Sequence, residues 1–262
     1  MMAATSELHA LRRGEGSRVV LVHGFTQTSR SWQAIAEDLA RDHRVISVDA
    51  PGHGGSAEVH VDLWQGAQLL GAAGGFASYL GYSMGGRLCL HLALTDPSRV
   101  RALVLLGATA GQDVPADRSA RRDADEALAA GLEAGGLDAF LERWLAQPLF
   151  ANLSPDAAGL EARRENTVAG LASSLRLAGT GTQDPPLWDR VAELSMPVLI
   201  VAGENDVKFR AIGQRLAASI GSNARMQIVP HTGHAAHLEA PGPFLDIIRP
   251  FLLEHAGATD HR

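Results

Sequence analysis

The sequence predicts an α/β protein, a mostly parallel sheet flanked by helices with an inserted helical cap. Three observations carry that expectation. Through the first 106 residues short apolar runs alternate with amphipathic stretches, in the order strand, helix, strand, helix, strand, helix, strand. The strand-like runs are continuously apolar, as strands buried on both faces are. From about 111 to 185 the β-like runs stop and helical stretches dominate. The expected division is a core domain over 1–110 and 186–262 and a cap over 111–185.

Taken in order, residues 1–17 are polar and mixed and predict a short strand and a turn. Residues 18–22 are the first buried strand. Residues 31–41 read as an amphipathic helix with Trp32, Ile35, Ala36 and Leu39 on one face. Residues 44–49 form the next strand and run into 50–56, a loop too rich in Gly and Pro to be anything else. An Ala- and Gly-rich helix over 62–75 leads to a strand over 76–80. A helix over 86–94 is closed by Asp96-Pro97, and 100–106 is again a strand. Inside the cap, helices are expected over 118–132, 137–147 and 155–177, ended by Asp184-Pro185-Pro186. Then come a strand over 198–203, a helix over 212–220, a strand over 225–229 and a final helix over 243–253. Residues 256–262 read as a frayed tail.

Composition excludes several classes. The net charge of −6 is mild for 262 residues, and no Lys/Arg-rich run appears, so neither nucleic acid nor an anionic membrane is an expected partner. No apolar run approaches the roughly 20 residues of a spanning helix, and the N-terminus lacks a basic-then-apolar signal pattern. The single cysteine, Cys89, cannot form an internal disulfide, and its apolar helical surroundings make it a small buried hydrophobe. A soluble, cytoplasmic protein is expected.

The chemistry starts at Gly81-Tyr82-Ser83-Met84-Gly85. This Gly-x-Ser-x-Gly run joins a strand to a helix through a turn so tight that a side chain at either glycine would clash. A serine there is held in a strained conformation with its hydroxyl exposed. A serine hydroxyl reacts only when an imidazole takes its proton and a carboxylate orients that imidazole. Ser83, Asp206 and His234 supply this set in the chain order of α/β-hydrolases, each just after an expected strand. Glu204 and Asn205 compete with Asp206, and His231 and His237 compete with His234. His23-Gly24-Phe25 follows the first buried strand, where such folds place half of an oxyanion hole. The Phe25 amide is the expected donor there, with Met84 the second, and His23 reads as a structural support. Together these features predict an α/β-hydrolase fold with a Ser-His-Asp site.

A closer likeness covers about residues 18 to 253. Gly81-Tyr82-Ser83-Met84-Gly85-Gly86-Arg87 resembles the elbow of the 2-succinyl-6-hydroxy-2,4-cyclohexadiene-1-carboxylate synthase family of the menaquinone pathway. So do Pro51-Gly52-His53-Gly54-Gly55-Ser56, Gln147-Pro148-Leu149-Phe150, Asp206-Val207-Lys208-Phe209-Arg210 and Gly233-His234-Ala235-Ala236-His237. The arginine after the elbow, the Gln-Pro-x-Phe and the Lys-Phe-Arg are its more specific parts. The resemblance implies a small-molecule polycarboxylate substrate held by arginines at Arg87, Arg121 and Arg164, with Tyr82 and Trp144 as the aromatic wall. Guanidinium, permanently charged and bidentate, suits carboxylates. Arg87 also sits in the first turn of a helix, where positive charge is disfavoured unless an anion lies near. Arg122 and Arg163 read as a solvated cap face, Arg118 and Arg122 compete with Arg121, and Trp144 reads equally as core.

The reaction so implied is an elimination. A proton α to the succinyl ketone is removed by Ser83, made basic by His234 and Asp206, and pyruvate leaves. No metal or organic cofactor is implied, and no His/Cys cluster has ligand spacing. A monomer or weak homo-oligomer is expected. The stretch 57–80 departs from the family pattern in being shorter and richer in Gly and Ala. Two other readings fit the same scaffold. One is a carboxylesterase or C–C bond hydrolase, with a covalent or gem-diol intermediate at Ser83. The other is a hydrolase-fold binding protein without useful catalysis, against which the complete Ser-His-Asp set argues.

Overall fold

The computed structural model describes residues 7–257, so the first six residues and the end of the expected tail, 258–262, lie outside it. Seven strands form one sheet: β1 (Ala10–Arg13), β2 (Ser17–Val22), β3 (His43–Val48), β4 (Ala77–Tyr82), β5 (Val100–Leu106), β6 (Val198–Gly203) and β7 (Ala224–Val229). Their spatial order is β1-β3-β2-β4-β5-β6-β7. Among the described residues only β1 runs antiparallel, with Ala10 opposite Val48 on β3. The five other pairings are parallel. Each expected strand is found, with ends shifted by no more than two residues.

The continuous apolar runs are explained by burial on both faces. Along β2, Val19 and Leu21 join one core cluster and Val20 and Val22 the other, all at most 1% exposed. Helix α1 (Gln33–Leu39), with Trp32 just before it, and helix α11 (Pro241–Glu254) cover the first face through Trp32, Ile35, Leu39, Phe244 and Phe251. Helices α2 (Leu63–Gly74), α3 (Met84–Thr95) and α9 (Val207–Ile220) cover the second through Leu70, Leu88 and Leu216. Each such side chain contributes about 1.5–3 kcal/mol on leaving water. Cys89 is fully buried in the second layer. A one-turn helix, α10 (Ala236–Glu239), precedes α11.

Between β5 and β6 the described residues form helices alone: α4 (Pro115–Gly135), α5 (Leu137–Leu145), α6 (Pro155–Ala158), α7 (Leu160–Arg163) and α8 (Val168–Ala178), with short 3-10 turns. They carry their own apolar cluster of Ala129, Leu132, Phe140, Leu171, Ala172 and Leu175. The expected single helix over 155–177 is instead three pieces. Gly159 turns left-handed at φ +62 and ends the first. The chain leaves helix again after Arg163, and Thr167 restarts it by accepting from the Gly170 amide. No described helix is long and apolar enough to cross a membrane.

The elbow is the tightest point of the core. A Cβ on Gly85 would lie 2.2 Å from the Val22 carbonyl oxygen, and one on Gly81 would lie 2.4 Å from the Gly85 oxygen. Neither neighbour is a flexible side chain end, so strand and helix would have to part. Ser83, between them, sits at φ +51 and ψ −108, outside the ordinary wells for a side-chain-bearing residue. Gly85→Ala is therefore expected to lower unfolding free energy by about 3 kcal/mol or more. An unchanged urea midpoint for that variant would contradict the close packing described.

Candidate active site

Three strand ends at one edge of the sheet carry the three expected residues. Ser83 follows β4, Asp206 lies just after β6 and His234 just after β7. His234 Nδ1–H donates to Asp206 Oδ2 at 2.6 Å, and the two side chains are 2% and 6% exposed. The carboxylate partner assigns the proton to Nδ1 and leaves Nε2 for the other side of the ring. Asp206 is held in turn: it caps α9, its Oδ1 accepting from the Phe209 amide at 3.2 Å. The imidazole lies beside the Gly107 backbone, where a Cβ would approach its Cε1 to 2.8 Å, and near the Phe209 ring, 4.4 Å away. The competitors are engaged elsewhere. Glu204 accepts from the exposed His231 amide at 2.8 Å, and His237 is buried 4.3 Å from the Trp32 ring. Among the described residues the Ser83 hydroxyl makes no hydrogen bond to His234, a contact that in such sites often tightens only around substrate.

Beside Ser83 runs the turn after β2. Gly24 packs against the Tyr82 ring so closely that a Cβ would meet its Cε1 at 2.6 Å. His23 is the buried support that the sequence suggests: Nδ1–H donates to Gly24 O at 2.8 Å, and Nε2 accepts from the Ala50 amide at 3.0 Å. Gln27 accepts from Gly24 N at 3.1 Å. Thr26, between Phe25 and Gln27, stands at φ +67, a conformation costing a non-glycine residue about 1–2 kcal/mol. Its amide donates to His53 Nε2 at 3.3 Å, while His53 Nδ1–H donates to Pro51 O at 2.9 Å. Neither the Phe25 nor the Met84 amide is bound to a protein acceptor among the described residues.

A cavity of about 630 Å³ opens over this turn, and Phe25, Tyr82, Ser83, Met84 and His234 line it. Of the expected substrate-binding residues, Arg87, Arg121 and Trp144 line it as well. Arg87 is 7% exposed, and its Nη1 donates to Ala178 O at 2.7 Å. Burial lowers its pKa to about 10, with the nearby Arg121 charge adding to the effect. Arg121 is tied to the buried Asp125, Nε lying 2.9 and 3.0 Å from the two carboxylate oxygens. Trp144 stands edge-on to Phe25 at 5.0 Å with its Nε1 unpartnered.

Arg164 does not reach the cavity, which corrects the expectation. It points outward and pairs with Asp138 at 2.7 Å and Glu161 at 2.5 Å. Its neighbour Arg163, read from the sequence as solvated, is 1% exposed and lines the cavity. One helical residue turns the side chain about 100°, and the break at Gly159 decides which of the two faces inward. Arg163 Nε donates to Ala158 O at 2.7 Å, Nη1 donates to the Thr26 hydroxyl, and Nη2 has no partner. Burial lowers its pKa to about 10. Arg122 donates to Gly181 O and Arg118 to Gln112 O and Asp113 O; neither lines the cavity. Reading by pattern also missed Asn166, Gln27 and the lining role of Lys208. No local signal marks the first two, and Lys208 was visible only as part of a motif.

Several histidines here are buried neutral. Burial lowers the pKa of His23 and His237, pushes His53 down to about 3 and His91 down to about 4. Their folded values lie below the unfolded value of about 6.5. Below that pH the unfolded chain binds more protons, so the stability they contribute is complete above it and is lost as pH falls toward the folded values. Each costs up to about 1.4 kcal/mol per pH unit in that window. The urea midpoint is expected to be flat from pH 7 to 8 and to fall between pH 6.5 and 4.5. A midpoint at pH 5 equal to that at pH 7.5 would contradict the neutral, buried assignment.

The alpha/beta hydrolase fold family matches residues 17–241 of the chain. A Bacillus subtilis (strain 168) protein provisionally named 2-succinyl-6-hydroxy-2,4-cyclohexadiene-1-carboxylate synthase is 38% identical, over 89% of this chain and 89% of its own. The enzyme of that name from Escherichia coli O1:K1 / APEC is 32% identical over 85% of this chain and 88% of its own. The solved structure of MenH from S. aureus superposes with a TM-score of 0.85 at 29% identity, covering 96% of this chain and 99% of that one.

Proposed function

The chain belongs to the α/β-hydrolase superfamily and, within it, to the 2-succinyl-6-hydroxy-2,4-cyclohexadiene-1-carboxylate synthase family, and from that premise we propose that it is a lyase of menaquinone biosynthesis. It eliminates pyruvate from 2-succinyl-5-enolpyruvyl-6-hydroxy-3-cyclohexene-1-carboxylate to give 2-succinyl-6-hydroxy-2,4-cyclohexadiene-1-carboxylate. One observation carries the reading beyond the fold. The cavity that holds Ser83 and His234 also holds two buried guanidinium groups, Arg87 and Arg163, with no carboxylate in ion-pair contact among the described residues. A site for neutral esters has no use for buried cations without an ion-pair partner, whereas a polycarboxylate supplies such a partner.

In this reading residues 111–185 form a cap over the core made by 1–110 and 186–262. The cap brings Arg121, Arg163 and Trp144 to the substrate, and the core brings Arg87 and Tyr82. Asp206 holds the His234 imidazole so that Nε2 takes the Ser83 hydroxyl proton as the serine oxygen takes the proton α to the succinyl ketone. The electron pair left on that ring carbon is shared with the ketone oxygen, where the Phe25 and Met84 amides hold the charge. It then moves through the ring double bond and breaks the C–O bond to the enolpyruvyl group. That group takes up a proton and leaves as pyruvate. Ser83 ends as it began, with no acyl enzyme formed.

Incubation with the enolpyruvyl substrate and detection of pyruvate tests the proposal. Ser83→Ala is expected to lower turnover by roughly 10³-fold or more. Arg87→Ala is expected to raise KM about 10–100-fold, the loss of one charged hydrogen-bonding group. Burst release from an activated ester with no pyruvate from the enolpyruvyl substrate would make the chain a serine hydrolase instead. Unchanged KM in the Arg87 variant would remove the carboxylate clamp.

A further inference from the structure

One buried amide joins the helical segment to the turn beside Ser83. Asn166 lies between α7 and α8 and is 4% exposed. Its Oδ1 accepts from the Gly54 amide at 3.0 Å. Its Nδ2 donates to Thr26 O at 2.8 Å and to Arg163 O at 2.9 Å. Only an oxygen can meet the Gly54 N–H, so the partners themselves fix which end of the amide is which. Both N–H groups are then used, and each meets a carbonyl.

Thr26 is the partner with chemical weight. It directly follows Phe25, and its φ of +67 is one that a residue with a side chain seldom adopts. Such a conformation persists only where the surroundings over-determine it. Here they do. The Thr26 amide is held by His53, its hydroxyl by Arg163 and its carbonyl by Asn166. His53 belongs to the core loop that also contains Gly54, so Asn166 grips both the turn and the loop that supports it. With the peptide planes on both sides of Thr26 pinned, the residue cannot relax to negative φ. That relaxation would rotate the Phe25–Thr26 peptide and, through the Phe25 Cα, pull on the preceding peptide, whose Phe25 N–H faces the proposed oxyanion position.

We infer that Asn166 is a positioning residue for the reaction: by holding Thr26 in its left-handed conformation, it aims the Phe25 amide at the oxygen on which negative charge develops. The inference rests on the reading of Phe25 as an oxyanion donor. It makes the segment over the cavity part of the oxyanion hole as well as of the binding wall. Nothing near Asn166 in sequence announces this role, since its partners Thr26 and Gly54 lie 140 and 112 positions away. Asn166 itself does not line the cavity, so its influence on rate passes through Thr26.

The test uses Asn166→Asp, which is nearly isosteric but sets an oxygen against Thr26 O, and Asn166→Ser, which removes the reach altogether. Both are expected to lower kcat for pyruvate release about 10–100-fold, with KM within about threefold. Exchange of the Thr26 amide hydrogen, read by NMR, is expected to rise at least about tenfold. Thr26→Gly supplies a cycle, because glycine adopts positive φ freely. The two sites act on one element, so the double variant loses about as much kcat as the worse single one, not the product of both. Multiplied losses overturn the inference. So does unchanged kcat, with or without faster exchange, and so does a KM that rises in step with the fall in kcat. Hydrolysis of p-nitrophenyl acetate, which would call on the same amides, is measured in parallel. A wild-type chain that cleaves the ester but releases no pyruvate refutes the lyase proposal and leaves the Asn166 comparison readable on the ester. Unchanged Thr26 exchange in both Asn166 variants overturns the inference whatever the activity.

Discussion

Two guanidinium groups buried without a carboxylate partner are the constraint around which the cavity is arranged. Taking a charge out of water costs several kcal/mol unless it is paired and hydrogen-bonded. Arg87 and Arg163 each meet backbone carbonyls, Ala178 O and Ala158 O, which offset only part of that cost. Burial draws both pKa values down to about 10, and they remain charged at neutral pH. Other cations at the cavity are treated differently. Arg121 is paired with Asp125, and Arg215 holds Asp113 at 2.5 and 2.9 Å while lying 3.6 Å over the Trp188 ring. Unpaired charge is thus confined mainly to the inner wall beside Ser83, with Lys208 nearer the rim. An anionic ligand there lowers the energy of the whole arrangement, and the proposed polycarboxylate substrate would supply it.

The core earns its role by rigidity. Parallel strands end at one edge, and the three residues of the Ser-His-Asp set stand just past three of those ends. The contact of Gly85 with the Val22 carbonyl brings helix and strand close enough to hold Ser83 in its strained turn. The same strand, β2, runs on into His23, Gly24 and Phe25, so one close approach positions both the serine and the proposed oxyanion donor. Neutral, buried His23 and His53 brace that turn through hydrogen bonds that need one lone pair and one N–H each. Protonating either ring would remove its acceptor, which ties the site's geometry to the same pH window as its stability.

How much of this was legible depended on how local the cause was. The inner strands β2 to β6 announced themselves because both their faces are covered, leaving little polar alternation, whereas the edge strands β1 and β7 keep exposed positions. The elbow did so because only glycine fits at 81 and 85. The pairing of Asp206 with His234 follows from chain order and strand ends, and the short hydrogen bond between them singles them out from Glu204, His231 and His237. The segment between β5 and β6 was readable as helical but not in detail. Whether Arg163 or Arg164 faces inward turns on a helix break of a single residue at Gly159, and amphipathic periodicity cannot resolve a helix of one turn. The break before α8 is marked locally by the Thr167 cap, but the hydrogen bonds of Asn166 to Thr26 and Gly54 join residues 140 and 112 positions apart, which no window of neighbouring residues contains.

Thermal unfolding in the presence of propane-1,2,3-tricarboxylate tests the central claim most directly, because it asks for binding of charge without asking for turnover. If the inner wall awaits an anion, the midpoint rises by about 2–4 °C for each kcal/mol of binding free energy. The rise shrinks with added salt and is lost when Arg87 and Arg163 are both replaced by methionine. A midpoint indifferent to the tricarboxylate, or one raised equally by its neutral trimethyl ester, would contradict the account.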